Sequence, residues 1–192
     1  MNSDKIILHL CAKEGSDSKP YRDAGYDVRI IGEDIGVENY HPPENVYGII
    51  ANPPCTMFSI ARTRAIIPRN LPEGMRIVKE CLRIIWECQY RITKISFENS
   101  PLKFWCLENP ASGYLDWFLG RPAFTYNQME YGMGFSKSTA LWGLFNLPKR
   151  PLLFNQPAKG KYLGNWAPNH DKDGKRSTCP IDFAMAFYDA NP

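Results

Sequence analysis

Residues 46–59 read VYGIIANPPCTMFS. Val46 to Ile50 is a short apolar, β-branched run, the pattern of a strand buried on both faces. Pro53 and Pro54 end it, because a proline cannot donate to the ladder of a central strand. Two successive prolines fix φ and remove two backbone donors, so the chain leaves the strand in one extended shape and presents Cys55 at its carboxyl end. In open α/β sheets ligands bind at that end of the strands. A cysteine by itself is equally a small buried thiol. The full string, PPC followed by Phe58 and Ser59, and a second string at Cys106 to Pro110, CLENP, make it a candidate for chemistry.

Upstream, Ile6 to Cys11 (IILHLC) reads as a first strand, and a helix is expected to open at Ser16 or Asp17, both good N-cap types, and to stop at Gly25. Tyr26 to Ile31 (YDVRII) reads as the second strand, which completes a βαβ unit whose first turn suits a nucleotide-like cofactor. That turn, Cys11-Ala12-Lys13-Glu14-Gly15-Ser16, holds one glycine where a full fingerprint has several. Downstream, Thr56 to Pro72 is a basic, irregular loop with Arg62, Arg64 and Arg69 suited to phosphates or simply to solvent. Glu73 to Ile95 shows an amphipathic helical period through Met75, Val78, Leu82, Ile85 and Trp86, with Cys81 and Cys88 on or beside the apolar side. Lys103 to Leu107 (KFWCL) is a further short strand, so Glu108-Asn109-Pro110 is expected just past its end. If that strand neighbours Val46 to Ile50 in parallel, Cys55 and Glu108 share one sheet edge. Tyr114 to Gly120 and Pro180 to Ala190 read as helices, the last with Phe183, Ala184 and Phe187 on one face. The predicted fold is α/β: a doubly wound, mostly parallel sheet.

The chain has 192 residues, 44% of them hydrophobic, enough for one domain spanning 1–192 that buries roughly 70% of its unfolded surface. A net charge of +3 excludes a polycationic nucleic-acid binder, so any such footprint is a local patch. The candidate patch is an irregular segment at about 144–176, where lysines and arginines interleave with Phe154, Tyr162 and Trp166; a solvated loop is the other reading. Six cysteines without a C-x-x-C pair and three scattered histidines give no zinc pattern and predict free thiols. With no signal-peptide pattern and no run near about 18 apolar residues, the sequence predicts a cytoplasmic protein that does not span a membrane.

PPC-x-x-FS followed by EN resembles the catalytic pair of DNA cytosine C5 methyltransferases, in particular short phage-encoded members. The likeness extends through SKPYRDAGYDV, PPENVYGI, EYG, TALWG and FAMAFYDANP. The resemblance implies a Rossmann-like methyltransferase fold, S-adenosylmethionine as cofactor, and flipped or single-stranded cytosine in DNA as substrate. It assigns Cys55 as nucleophile and Glu108 as the acid at N3 of the base. It implies cofactor contacts from Cys11, Ala12, Gly15, Ser16, Asp34, Asn52 and Pro53, and substrate contacts from Pro54, Ser59, Arg62, Arg64, Asn109 and Lys137, although Asn109 is better suited to bracing the loop. Lys137 is the one basic residue in SKSTALWG, where the family carries an arginine-bearing element. Lys13 stands where the family has glycine, and Gly36 where it has an aspartate for the adenine amine. The length leaves no room for the recognition domain of larger members. A second EN, Glu98-Asn99, follows no comparable strand and is treated as a decoy.

Other readings remain at this level. Asn52-Pro53-Pro54 also resembles the (D/N/S)PP string of amino methyltransferases, but those place an aromatic residue where Cys55 stands. Lys13 and Gly36 suit a non-catalytic binder of nucleic acid or protein, or a sulfonium cofactor bearing a carboxylate.

Overall fold

The computed structural model describes residues 2–90, 100–133, 135–151 and 178–192, and of Arg64 the backbone only. Glu98-Asn99 and most of the Lys- and aromatic-rich segment therefore lie outside the described residues. Six strands form one mixed sheet: β1 (Ile6–Leu10), β2 (Asp27–Ile31), β3 (Val46–Ala51), β4 (Phe104–Pro110), β5 (Phe124–Asn127) and β6 (Ser138–Leu144). Their order is β2-β1-β3-β4-β6-β5, parallel from β2 to β4, with β6 antiparallel to both β4 and β5. The helices are α1 (Lys19–Asp23), α2 (Leu71–Tyr90), α3 (Asp116–Leu119) and α4 (Ile181–Ala190).

The sheet is covered on both faces, as continuous apolar strands require. On one face α2 lays Met75, Val78, Cys81, Ile85 and Cys88 against Leu8, Leu10, Ile49 and Leu107. The buried stripe runs through Cys81, Ile84 and Cys88, whereas Trp86 is 64% exposed, so the helix is turned from the face expected through Leu82 and Trp86. On the other face α4 buries Phe183, Ala184 and Phe187 against a largely aromatic cluster. Tyr21 stacks on Phe104 with ring centroids 5.4 Å apart, and its hydroxyl donates to the carbonyl of Asn191, which ties α1 to the end of α4. Phe104 lies across β3 at Gly48, where a Cβ would stand 2.2 Å from the ring, so this strand position admits only glycine.

Two local expectations are corrected. α1 opens at Lys19 rather than from Ser16 or Asp17, because Ser18 takes the cap position with its hydroxyl turned to Gly15 O and His9 Nδ1. β4 continues past Leu107, because β6 pairs with it as far as Pro110↔Thr139. Glu108 is thus a strand residue and not the first residue beyond one. Among the described residues no helix is long and apolar enough to cross a membrane.

Candidate functional site

Asn52 continues the ladder of β3 by donating to Leu10 O at 3.0 Å, after which Pro53 and Pro54 carry the chain out to an exposed Cys55. The Cys55 carbonyl accepts from the amides of Phe58 (2.9 Å) and Ser59 (2.8 Å), closing a tight turn. Phe58 anchors that turn. It is fully buried, packs edge-on to Phe118, and sits against Gly74, where a Cβ would be 3.0 Å from the ring. Asn109, also fully buried, donates from Nδ2 to Pro53 O at 3.0 Å and braces the loop from the neighbouring strand. Ser59 caps the 3-10 turn Ile60–Arg64, its Oγ accepting from Ala61 N. Arg69 donates to the carbonyls of Met57 and Ser59 and lies 4.5 Å over the Tyr114 ring, so its guanidinium holds the loop together. Arg62 donates to Ile67 O. The Arg64 side chain lies outside the described residues.

β3 and β4 are parallel neighbours paired at Ala51↔Leu107, so Glu108 projects one residue beyond that pair and Cys55 emerges from the loop at the same edge. Glu108 points to the face covered by α4, with its side chain 20% exposed and Lys137 Nζ 3.8 Å from Oε1. Desolvation by the surrounding protein raises the Glu108 pKa, Lys137 opposes the rise, and the Asp17 charge adds to it. The Cys55 thiol is raised first by partial desolvation and then by the Glu108 charge, with Lys137 again opposing. The two groups therefore sense one another and the same cation.

That coupling has a measurable sign. Removing the Glu108 charge in Glu108→Gln takes away a repulsion on the thiolate, so the Cys55 titration should move to lower pH. Lys137→Met removes an attraction and should move it to higher pH. The pH dependence of Cys55 alkylation, followed by peptide mass, reads both shifts. Equal profiles in all three proteins would mean that these groups do not share a site.

Beneath the pair lies a hydrogen-bonded set that joins Asn52 and Ser16 to His9 and Asp17, two residues that sequence reading did not single out for the site. Asn52 Nδ2 donates to Asp17 Oδ2 at 2.7 Å, while its Oδ1 lies 2.9 Å from His9 Nε2. His9 Nδ1 is 2.9 Å from Ser18 Oγ. His9 is buried on the sheet, and desolvation lowers its pKa, which favours the neutral ring with Nε2–H donated to Asn52. Ser16 Oγ donates to Asp17 Oδ1 and accepts from Cys179 N, which joins the start of α1 to the segment before α4. The one sequence signal for His9 was a polar residue inside an otherwise apolar strand. For Asp17 there was none beyond its aptness as a cap.

Asp17, Asn52 and Cys179 of this set help line a small pocket between the sheet edge and α4. Asp17, Asn52, Glu108, Lys137 and Gln128 supply its polar wall; Tyr126 and Phe183, stacked at 3.9 Å, supply part of its apolar wall.

The turn after β1 lies beside the end of β2. Cys11 has φ 59°, a left-handed conformation a non-glycine residue adopts at a cost of about 1 kcal/mol, with its amide bonded to Ile31 O. Gly15 has φ 71°, a left-handed conformation that favours glycine, and a Cβ there would come 2.7 Å from the end of the Ile30 side chain. Asp34 Oδ1 and Ala12 O both approach Gly32, which puts the acidic side chain next to the turn, and Gly36 (φ 72°) makes the bend that follows. Lys13 and Glu14 are exposed. No protein-family model matches the chain, and no curated protein matches it.

Proposed function

We propose that this protein transfers a methyl group from S-adenosylmethionine to C5 of cytosine in DNA, with Cys55 as nucleophile and Glu108 as general acid, on a Rossmann-like methyltransferase fold. The observation that carries the reading is the convergence of an exposed thiol and a desolvated carboxyl group, electrostatically coupled and sharing Lys137, at the carboxyl edge of two adjacent parallel strands. C6 of cytosine is a poor electrophile until N3 is protonated. A carboxyl group whose pKa is raised by burial holds the needed proton closer to neutral pH, and a thiol is the side chain best suited to add at C6.

In the forward step the Cys55 sulfur bonds to C6 while the Glu108 proton passes to N3, and the π electrons of the 5,6 double bond become available at C5. Loss of the C5 proton to a solvent base and departure of the Cys55 thiolate from C6 later restore the double bond, and the N3 proton returns to Glu108. Lys137 helps hold both groups in useful states, since its charge favours the thiolate and limits how far Glu108 is raised.

The residues around the β1 turn fit such a donor. Gly15 supplies the left-handed bend of the turn, Asp34 offers a carboxylate for ribose hydroxyls beside Ala12, and Lys13 and Glu14 are exposed. When bound, the cofactor supplies an electrophilic methyl group to C5. Cys11, Ala12, Ser16, Asn52 and Pro53 border the same strand ends and complete the proposed contacts.

Calorimetry with S-adenosylmethionine tests the donor directly, and a saturable single-site heat is expected. Because Lys13 is exposed, Lys13→Gly should change that affinity by no more than about 0.5 kcal/mol, the range of surface substitutions. Absence of heat in both proteins would remove the methyl donor and leave a nucleic-acid-binding module as the better reading.

A further inference from the structure

The pocket wall holds an acceptor that no described protein group uses. Gln128 follows β5 and is 2% exposed, yet among the described residues its Oε1 has no hydrogen-bond partner. Leaving a buried amide oxygen unpaired costs on the order of 1–3 kcal/mol, so the position calls for a donor from a ligand. Its place in the sheet says which part of a ligand it meets. The amide of Gln128 donates to Lys137 O at 2.9 Å, one step beyond the Asn127↔Ser138 pair, so residues 128 and 137 are opposed across β5 and β6. Lys137 in turn reaches Glu108 on β4 at 3.8 Å. Glu108 on β4, Lys137 before β6 and Gln128 after β5 thus share one face of the sheet: carboxyl, cation donor and acceptor. All three line the same pocket.

We infer that Gln128 is a specificity-determining residue that accepts a hydrogen bond from the exocyclic 4-amino group of the target cytosine. This rests on the cytosine reading of the site and deepens it. The Watson–Crick edge of cytosine presents a donor at N4 beside acceptors at N3 and O2. Glu108, when protonated, donates to N3, so the amino group beside N3 requires an acceptor, and Gln128 Oε1 is the buried one left over in this pocket. A base lacking the amino group would leave that oxygen unsatisfied, which is how a site built to hydrogen-bond a substrate group rejects its analogue.

The test needs no cofactor. Short adenine strands carrying one cytosine, or one 2-pyrimidinone, which lacks the 4-amino group, are titrated against the rate of Cys55 alkylation. The wild-type protein should be protected by the cytosine strand at concentrations about tenfold lower than by the pyrimidinone strand, the worth of one buried hydrogen bond. Gln128→Met, similar in volume, should bring the ratio near one by weakening the cytosine strand alone. Gln128→Glu retains an acceptor and should restore the preference. Thermal melting of both variants checks that the fold is intact, and the pyrimidinone titration checks that the pocket is. A wild-type ratio preserved in Gln128→Met would overturn the assignment while leaving the base site standing. Failure of either strand to protect wild-type Cys55 would instead remove the cytosine reading itself, and this inference with it.

Discussion

Mixed with S-adenosylmethionine and DNA containing 5-fluorocytosine, the protein is expected to form an adduct stable to denaturation, and Cys55→Ser is expected to form none. After the thiolate has added to C6 and C5 has been alkylated, release of the protein requires loss of the C5 substituent as a cation. Hydrogen leaves that way and fluorine does not, so the S–C6 bond persists. The effect is all or none because no other described thiol is comparably placed: Cys81, Cys88 and Cys106 are buried, Cys11 lies 3.7 Å from Cys81, and Cys179 is turned toward Pro180. Cys55 alone is exposed, at the end of a loop anchored by Phe58 and Asn109, so serine should replace it without loss of fold. The adduct should map to Cys55 by peptide mass. Wild-type protein that gives no adduct on any cytosine-containing strand while methylating adenine N6 would shift the assignment to the amino methyltransferases that share the NPP string.

Glu108→Gln should lower the rate of base modification by the 10² to 10⁴ typical of a lost general acid, with the fall in kcat and not in KM. Glutamine keeps the shape and a hydrogen bond to N3 but cannot deliver a proton. The raised pKa sets the sign of the pH dependence. A carboxyl group held above its ordinary value remains protonated to higher pH, and the rate should decline as pH rises through that value. Cys55 must lose its proton, and its own raised pKa pushes thiolate formation upward. The productive form, thiolate beside carboxylic acid, is therefore a minor one in the free protein, and the profile should be bell-shaped with two values that belong to the coupled pair. In Glu108→Gln the descending limb should vanish. Glu98→Gln serves as the control; if it were the inactive variant and Glu108→Gln unaffected, the acid would have been assigned to the wrong EN dipeptide.

The candidate site was partly legible because some of its signals are local. Pro53 and Pro54 define the loop shape at Cys55 whatever surrounds them, and the apolar runs that precede Cys55 and Glu108 each read as a strand. Asn109 was expected to brace the loop, and its bond to Pro53 O does so. Arg69, read as a phosphate candidate, instead binds the carbonyls of its own loop. Nothing in a run of arginines distinguishes one that meets a phosphate from one that meets the backbone a few residues away.

Sequence alone determined the elements whose cause lies within a few residues: the buried run Val46–Ala51 stopped by prolines, the helix–Gly25–strand unit at the N-terminus, the helical period through Met75, Val78 and Ile85, and the apolar face Phe183–Ala184–Phe187. Tertiary structure alone decided what depends on partners far along the chain. β4 reaches Pro110 because β6, some thirty residues later, pairs with it in antiparallel register, and this makes Glu108 a strand residue aimed at α4. Ser18 rather than Ser16 or Asp17 stands at the start of α1 because buried His9 draws its hydroxyl, and Asp17 is thereby free to accept from Asn52. Gln128 meets Lys137 and the pocket only through the pairing of β5 with β6. Proline geometry and hydrophobic period act over a handful of bonds and can be read in order along the chain. Ladder register and the pairing of buried polar groups are settled by whichever distant segment satisfies them, and that is known only once the sheet is closed.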